Sequence, residues 1–423
     1  MISAGAATVD ITPPAGLHLA GFAARTLPST GTHDPLTARA IAVDDTAIVA
    51  LDVVGIHESM ARRIRQRCCL PEDRVIVTAT HTHGAPVSMQ GRLGRSADPD
   101  FLKQMENGAV EAIRLAVESQ QEATIAVGMG GDPGVAWNRR HKDGPLDRSV
   151  PVIRIRNGAG ACIAVMVSYA CHPVVLGADN LLMTADYPYY VRQALEAEHP
   201  GAVAVFLTGC CGDANTGHTA RASWTLAANA ERTFATAERL GRRVAAAALE
   251  APEEVVTGGV GAGHRELDLA LTRLEDTPLN ELAARWRAEQ QDAEAVQAIL
   301  LGHWIEWAER NKNVEPGSWR ARVSLLDWAG IPIVAMPGEI FSETGLSVRS
   351  ACGDRAAFVL AYAEGTPGYI PPRSEYPHGG YEVSEAHRFI GMPGAFAPGS
   401  AEALAETATA LLRERHLTPQ PVA

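Results

Sequence analysis

The segment Thr78-Ala79-Thr80-His81-Thr82-His83-Gly84-Ala85-Pro86 carries the strongest chemical signal in the chain. It follows the apolar run Val75-Ile76-Val77, which reads as a strand. Residues i and i+2 of an extended chain point the same way. His81 and His83 are therefore expected to project together from a strand end. Neutral imidazole is the commonest metal ligand in proteins, so the pair points to metal binding or catalysis; two solvated loop histidines are the plainer reading. His172, in Ser168-Tyr169-Ala170-Cys171-His172-Pro173, also ends an apolar run. Alone it reads equally well as a core histidine. Sites in open α/β sheets gather at the carboxyl ends of strands, and that rule groups His172 with His81.

Four further groups could do chemistry. Glu339, in Met336-Pro337-Gly338-Glu339, follows an apolar run and is placed either to bind a metal or to sit at a helix N-terminus. The loop Thr208-Gly209-Cys210-Cys211-Gly212-Asp213-Ala214-Asn215 has glycines that permit close backbone approach. Its Asp213 could orient a histidine or bind a second ion, and a tight strand-to-helix turn is the alternative. Cys210 or Cys211 as a nucleophile is a weak reading, because small buried thiols are common. In Trp137-Asn138-Arg139-Arg140-His141-Lys142, an arginine could grip a carboxylate or an oxyanion, or form a solvated basic turn. The Gly- and Pro-rich stretch 363–380, with Tyr369, Tyr376 and nearby Tyr381, reads as a long structured loop, where catalytic groups often sit.

The elements that must position these groups are legible as buried strands at 47–54, 74–80, 163–169, 202–208, 331–336 and 357–362. Helical stretches at 100–119, 187–198 and 233–249 lie between them. The alternation predicts an α/β fold: mixed or mostly parallel sheets flanked by helices. Residues 277–311 differ. Leu279, Leu282, Trp286, Ile299, Trp304 and Trp307 recur at helical spacing among charges, which predicts an inserted helical pair that packs over the core, acts as a lid or contacts another subunit.

Bulk properties narrow the function. The 423 residues are 46% hydrophobic and 20% charged, ordinary for a globular protein. The formal net charge of -12 and the lack of a basic stripe argue against nucleic-acid and anionic-membrane partners. Seven cysteines, four of them in two adjacent pairs and none in a Cys-x-x-Cys spacing, suggest reduced thiols. With no secretory n- and h-region and no membrane-length apolar run, a cytoplasmic protein is expected.

Taken in order, the motifs resemble the neutral/alkaline non-lysosomal ceramidase family. The resemblance runs from Val9-Asp10-Ile11-Thr12-Pro13-Pro14 and Leu19-Ala20-Gly21-Phe22 through Asp34-Pro35-Leu36, the Thr80–Pro86 motif and Asp143-Gly144-Pro145. It continues with His172, Thr184-Ala185-Asp186-Tyr187 and Gly212-Asp213, and ends at Pro337-Gly338-Glu339 and the Tyr369 loop. It implies one catalytic domain over 1–423 with the helical insertion. It also implies a Zn²⁺ site made by His81, His172, Glu339 and Tyr369, with oxyanion-side groups His83 and Arg139 and a second tyrosine, Tyr381. Where the family carries a serine nucleophile after Gly-Asp, this chain has Asn215, which cannot act as one. The family's C-terminal β-sandwich and lipid-facing lid are also not evident.

The resemblance with these departures implies a zinc-dependent hydrolase that cleaves an amide bond of a soluble small molecule with zinc-activated water, rather than ceramide. His83 or Asp213 is expected to handle protons. A zinc esterase or lactonase, and a catalytically inactive ligand-binding homologue, are the alternatives. Arg139, Arg140 and Lys142 hint at an anionic group on the substrate; oligomeric state is open, and Asp213 and Asp186 are the candidates for a second ion.

Overall fold

Alternate residues of the strand Thr46–Leu51 face two different hydrophobic layers. Ala47, Val49 and Leu51 pack towards helices, whereas Ile48 and Ala50 pack towards a second sheet. The same division holds in Thr37–Val43, Val75–Ala79 and Ile331–Ala335. A strand buried on both faces must be apolar throughout, which is why these runs stand out in the sequence. The computed structural model describes residues 2–92, 96–353 and 355–417.

The larger sheet has nine strands. Its main path runs Val203–Thr208, Cys162–Tyr169, Val150–Asn157, Gln121–Gly130, Ile2–Asp10, Thr37–Val43, Thr46–Leu51 and Val75–Ala79, with Glu254–Val256 paired to Gln121–Gly130. The second sheet has five: Phe358–Leu360, Ile331–Ala335, Ser318–Trp328, Val260–Thr272 and Ala395–Phe396. The two stack face to face. Ile41, Ile48, Ile76, Ile153 and Leu207 of one meet Leu326, Trp328, Ile333 and Phe358 of the other. Helices cover the outer faces. Glu58–Arg67 and Pro99–Glu118 pack on one part of the larger sheet, Tyr187–Glu198 and Phe234–Leu249 on the rest, and Ser342–Ala351 and Ser400–Leu417 on the smaller. This is the mixed α/β fold that the alternation predicts. The sheets are mixed rather than mostly parallel, and most pairings are antiparallel.

In these two sheets three pairs are parallel: Thr46–Leu51 with Val75–Ala79, Cys162–Tyr169 with Val203–Thr208, and Ile331–Ala335 with Phe358–Leu360. Single bridges from Thr78 to Ala363 and from Gly209 to Leu360 tie the sheets together beyond them. Ala79 N donates to Tyr362 O at 3.1 Å and Ala361 N to Thr208 O at 3.2 Å. The loops that leave these strands therefore meet at one end of the stack.

The predicted insertion is a helical pair, Leu279–Gln291 and Ala295–Asn311, with its own small core of Leu279, Leu282, Trp286, Leu301 and Trp307. Arg388 lies over the rings of Trp286, Trp304 and Trp307, at 5.2, 4.7 and 5.7 Å from their centroids. It pins the pair to the segment that carries Tyr381 and Phe389. Among the described residues no helix is long and apolar enough to cross a membrane.

Candidate metal centre

His81 stands two residues beyond Val75–Ala79, His172 three beyond Cys162–Tyr169 and Glu339 four beyond Ile331–Ala335. All three are buried, with 2% or less of each exposed. Their side chains converge: His81 Nε2 lies 3.3 Å and His172 Nε2 3.1 Å from Glu339 Oε2. Among the described residues this is the group of histidine, cysteine and carboxylate side chains whose atoms lie close enough together to hold one ion.

Main-chain carbonyls set the tautomers. His81 Nδ1 lies 2.5 Å from Val54 O, and His172 Nδ1 lies 2.6 Å from Cys211 O. A carbonyl only accepts, so each Nδ1 carries the proton and each Nε2 turns a lone pair towards Glu339. This carbonyl backing is what ligating histidines usually have. The His81 backbone is left-handed, with φ +65°, and its N–H donates to Val53 O at 3.0 Å. That turn aims the ring inward at the end of its strand. Burial chiefly, with Arg139 next, pushes the pKa of His172 down to about 4. Burial alone would raise that of Glu339; it is instead lowered, by protons on the His81 and His172 imidazoles whose place a divalent cation between the three groups would take. The set is therefore one anion with imidazole lone pairs, which fits a divalent cation.

Around this set the structure gathers His83, Arg139, Tyr369 and Tyr381. His83 Nε2 is 3.4 Å from His81 Nε2. Burial, then His81 and His172, holds its pKa well below the ordinary histidine value. Gly21, at φ +93°, lies against it, and a Cβ there would come within 2.3 Å of His83 Cγ. The phenol oxygen of Tyr369 lies 3.5 Å from His172 Nε2 and accepts from Arg139 Nη2 at 2.8 Å. Arg139 Nε donates to Glu382 Oε1 at 2.8 Å, and the rings of Tyr369 and Tyr381 are 5.8 Å apart.

The other expected residues lie elsewhere. Asp213 accepts from Ser342 N and Oγ, at 2.7 and 2.8 Å, and from Asn138 Nδ2 at 2.8 Å. Its carbonyl accepts from Arg139 N at 2.8 Å. It thus anchors the arginine's backbone and the Ser342 helix rather than joining the histidines. Asp186 caps the helix Tyr187–Glu198 and accepts from Val175 and Leu176 N–H groups as well. Asn215 closes a turn, binding Gly217 N, His218 N and His218 O. Arg140 is paired with Glu375 and Glu382, so its charge and that of Arg139 are balanced within the protein.

One residue at the centre escaped sequence reading. Tyr362 stacks on the His81 ring at 4.0 Å, and its oxygen lies 3.5 Å from His172 Nε2 and 3.4 Å from Cys211 Sγ. In the sequence it ends an apolar run and looks like core. Only its place at a strand's carboxyl end, the rule that selected His172, could have found it.

Comparison with known proteins identifies the family and the fold. Residues 2–222, just over half the chain, match the family described as neutral/alkaline non-lysosomal ceramidase, N-terminal. A neutral ceramidase of Drosophila melanogaster is 24% identical in an alignment 230 residues long that covers 46% of this chain and 32% of that protein. The chain thus matches about a third of that relative's length. The crystal structure of neutral ceramidase from Pseudomonas aeruginosa superposes with a TM-score of 0.75 at 18% identity, over 100% of this chain and 76% of that one. A ceramidase complexed with C2 gives 0.74 at 17% identity, covering 98% and 75%. At such identities the structures establish a shared fold, and the family match establishes descent: the chain belongs to the neutral/alkaline non-lysosomal ceramidase family.

Proposed function

We propose that this chain is a zinc-dependent hydrolase that cleaves an amide bond with water as the nucleophile. The observation that carries the reading is the convergence of His81 Nε2, His172 Nε2 and Glu339 Oε2, with both Nδ1 atoms backed by main-chain carbonyls. Two imidazoles and a carboxylate form a donor set that catalytic zinc accepts, with room for a further ligand. Tyr369 is the protein group suited to that place: burial holds its phenol well above the ordinary pKa, but Arg139 donates to its oxygen and pulls the other way, as a bound cation would. A zinc ion there would polarise a carbonyl or make water nucleophilic at neutral pH.

The surrounding residues supply the rest. Among the described residues, Arg139 Nη1 has no protein partner, while Nε and Nη2 are held by Glu382 and Tyr369. A donor fixed in this way is suited to the negative charge that develops on a carbonyl oxygen. His83, kept neutral by burial and its histidine neighbours, can donate beside it or pass a proton to the leaving nitrogen. Asn215 favours water over a side-chain nucleophile, since its amide is engaged in a turn and no hydroxyl stands there. Family membership favours an amide over an ester.

Elemental analysis of purified protein, with His81→Ala and Glu339→Ala beside the wild type, tests the metal. About one zinc per chain, lost in both variants, and hydrolysis of at least one member of an amide panel are expected. A well-folded wild type that takes up no zinc after reconstitution would overturn the reading.

A further inference from the structure

His83 lacks the support that fixes the two histidines beside it. His81 and His172 each have Nδ1 backed by a main-chain carbonyl. His83 Nδ1 is buried and has no hydrogen-bond partner among the described residues. What holds this imidazole is therefore packing, and the packing comes from one segment, Leu19 to Arg25. That segment runs beside the histidine motif: Ala20 N donates to Ala85 O at 2.8 Å and Val87 N to His18 O at 3.0 Å. Gly21 covers the ring, since a Cβ there would come within 2.4 Å of His83 Nδ1. The Phe22 ring meets the imidazole edge to face, with centroids 4.8 Å apart.

Two buried arginines hold this arrangement. Arg25 closes the segment on itself and on the histidine, donating through Nη2 to Ala20 O and His83 O and through Nη1 to Asn180 O at 3.1 Å. Arg232 gathers the loop that follows His172, donating to Val174 O, Val175 O and Leu176 O at 2.9–3.3 Å. Both guanidinium groups lie over the Phe22 ring, 5.0 and 5.5 Å from its centroid. Among the described residues neither arginine forms an ion pair, and every hydrogen bond they make is to a main-chain carbonyl. A buried cation without a carboxylate partner is costly, and an apolar side chain would fill such a place at lower electrostatic cost. Burial brings the Arg25 pKa down to about 9, with Asp179 opposing. Features that break a rule of stability in this way concentrate where function needs them.

We propose that Arg25 is a positioning residue for His83. Its guanidinium holds the His83 carbonyl and closes Gly21 and Phe22 over the imidazole, so that Nε2 stays directed at the metal centre without a hydrogen bond at Nδ1. Phe22 transmits the hold, and Arg232 ties the same ring to the loop after His172. The inference rests on the hydrolase reading, because it takes His83 as a donor beside the reacting carbonyl.

Acetohydroxamate tests it without requiring turnover, since it binds zinc and offers an oxygen to a neighbouring donor. The measurement is calorimetric titration of zinc-loaded wild type, Arg25→Met, His83→Ala and the double variant. His83→Ala is expected to weaken binding about tenfold, the worth of one hydrogen bond. Arg25→Met should lose most of that affinity with zinc content unchanged, and it should add nothing in the His83→Ala background. Arg25→Lys should recover part of the loss, and Phe22→Leu should show a smaller one. Circular dichroism identifies a variant that has not folded, and if Arg25→Met is one, Arg25→Lys and Phe22→Leu carry the same comparison with His83→Ala. Additive losses, or wild-type affinity in the folded single variants, would overturn the inference and leave the hydrolase reading intact. Loss of zinc in a folded Arg25 variant would overturn it as well, by moving the effect from His83 to the metal ligands. No hydroxamate binding by zinc-loaded wild type would overturn both the inference and the reading beneath it.

Discussion

Glu339 and Tyr369 are register partners in a two-residue parallel ladder, with Ile340 beside Ile370. Glu339 N donates to Gly368 O at 2.8 Å, and Gly338 N to Gly365 O at 2.9 Å. The carboxylate and the phenol are thus fixed side by side by backbone pairing between distant segments. Backbone placement of this kind holds a site more tightly than side-chain contacts alone.

Glu339→Gln keeps the shape of that ladder and removes the one negative charge among the three converging side chains. Zinc affinity, read by competition with a chromogenic chelator, is expected to fall by more than about a hundredfold, beyond what loss of a supporting partner costs. Chelation should also lower the melting temperature of the wild type, since zinc at about 100 times its dissociation constant stabilises by about 2.7 kcal/mol. The variant should show no such shift. Unchanged affinity would remove Glu339 from the ligand set.

Two phenols stand equally far from His172 Nε2, each at 3.5 Å, and only Tyr369 receives a bond from Arg139. The partner of Tyr362 is the thiol of Cys211; burial pushes both phenols well above their ordinary pKa, and Arg139 opposes that at Tyr369. Tyr369→Phe is therefore expected to weaken zinc binding by about tenfold or more. Tyr362→Phe should keep zinc and lose on the order of 1 kcal/mol of stability. Chelator competition and urea unfolding on both variants separate the roles, and the opposite pattern would make Tyr362 the fourth ligand.

His81, His172 and Glu339 were legible because each ends an apolar run, and an apolar run this long between helices has to be a buried strand. The helical insertion was legible from the spacing of its tryptophans. The strands Ile2–Asp10, Gln121–Gly130 and Val260–Thr272 did not stand out, because polar and small residues interrupt their apolar pattern. Asp213 shows the limit at the site. Its position in a glycine loop suggested that it orients a histidine or binds a second ion, yet its carboxylate serves the Ser342 backbone, a partner 129 residues away that no local spacing encodes. Tyr362 shows the converse, since a buried tyrosine at a strand end has no pattern that separates it from core.

Arg139 is held by Glu382 and Tyr369, with its backbone bonded to Asp213. Arg139→Lys keeps a charge but loses the fork that makes both contacts. Turnover of an amide substrate should fall by about 10²–10³, the usual effect of removing one oxyanion donor, with zinc content unchanged. Glu382→Gln leaves the arginine in place but less firmly oriented, and a smaller loss in kcat with little change in KM is expected. Loss of zinc in Arg139→Lys would show that the arginine acts through Tyr369 on the metal instead.

Glu275 accepts from Arg388, which joins the insertion to the Phe389 segment, with Arg388 Nε at 3.2 Å and Nη2 at 2.9 Å. Burial would raise its pKa, but His387 and Arg388 outweigh this and bring it down from 4.5 to about 2. A depressed carboxylate stabilises the fold above its unfolded pKa, and that contribution is lost as pH falls from about 4.5 towards 2. After allowance for screening it is on the order of 1–2 kcal/mol. Urea unfolding at about pH 6 and about pH 3 should show a smaller acid loss in Glu275→Gln than in the wild type. An equal loss in both would show that the Arg388 clamp does not depend on this charge.

Gly212 is where the loop of Cys211 crosses the strand that carries Glu339. Its N–H donates to Ile340 O at 2.7 Å, and a Cβ on it would stand 2.6 Å from Glu339 O and 3.0 Å from Phe341 Cδ1. The obstacle on one side is backbone, which cannot rotate away, so Gly212→Ala must push the Glu339 ladder and the Cys211 loop apart. Cys211 O is the acceptor that fixes the His172 tautomer, so a single methyl group displaces a carboxylate and an imidazole together. Overpacking of this kind typically costs about 1–3 kcal/mol. Zinc affinity should fall by about 10–100-fold, as when a supporting partner is lost, although no ligand has been changed. Chelator competition and urea unfolding on the same preparation read both effects. Lost stability with full zinc affinity would mean that the strain relaxes away from the metal centre, into the loop rather than the ladder.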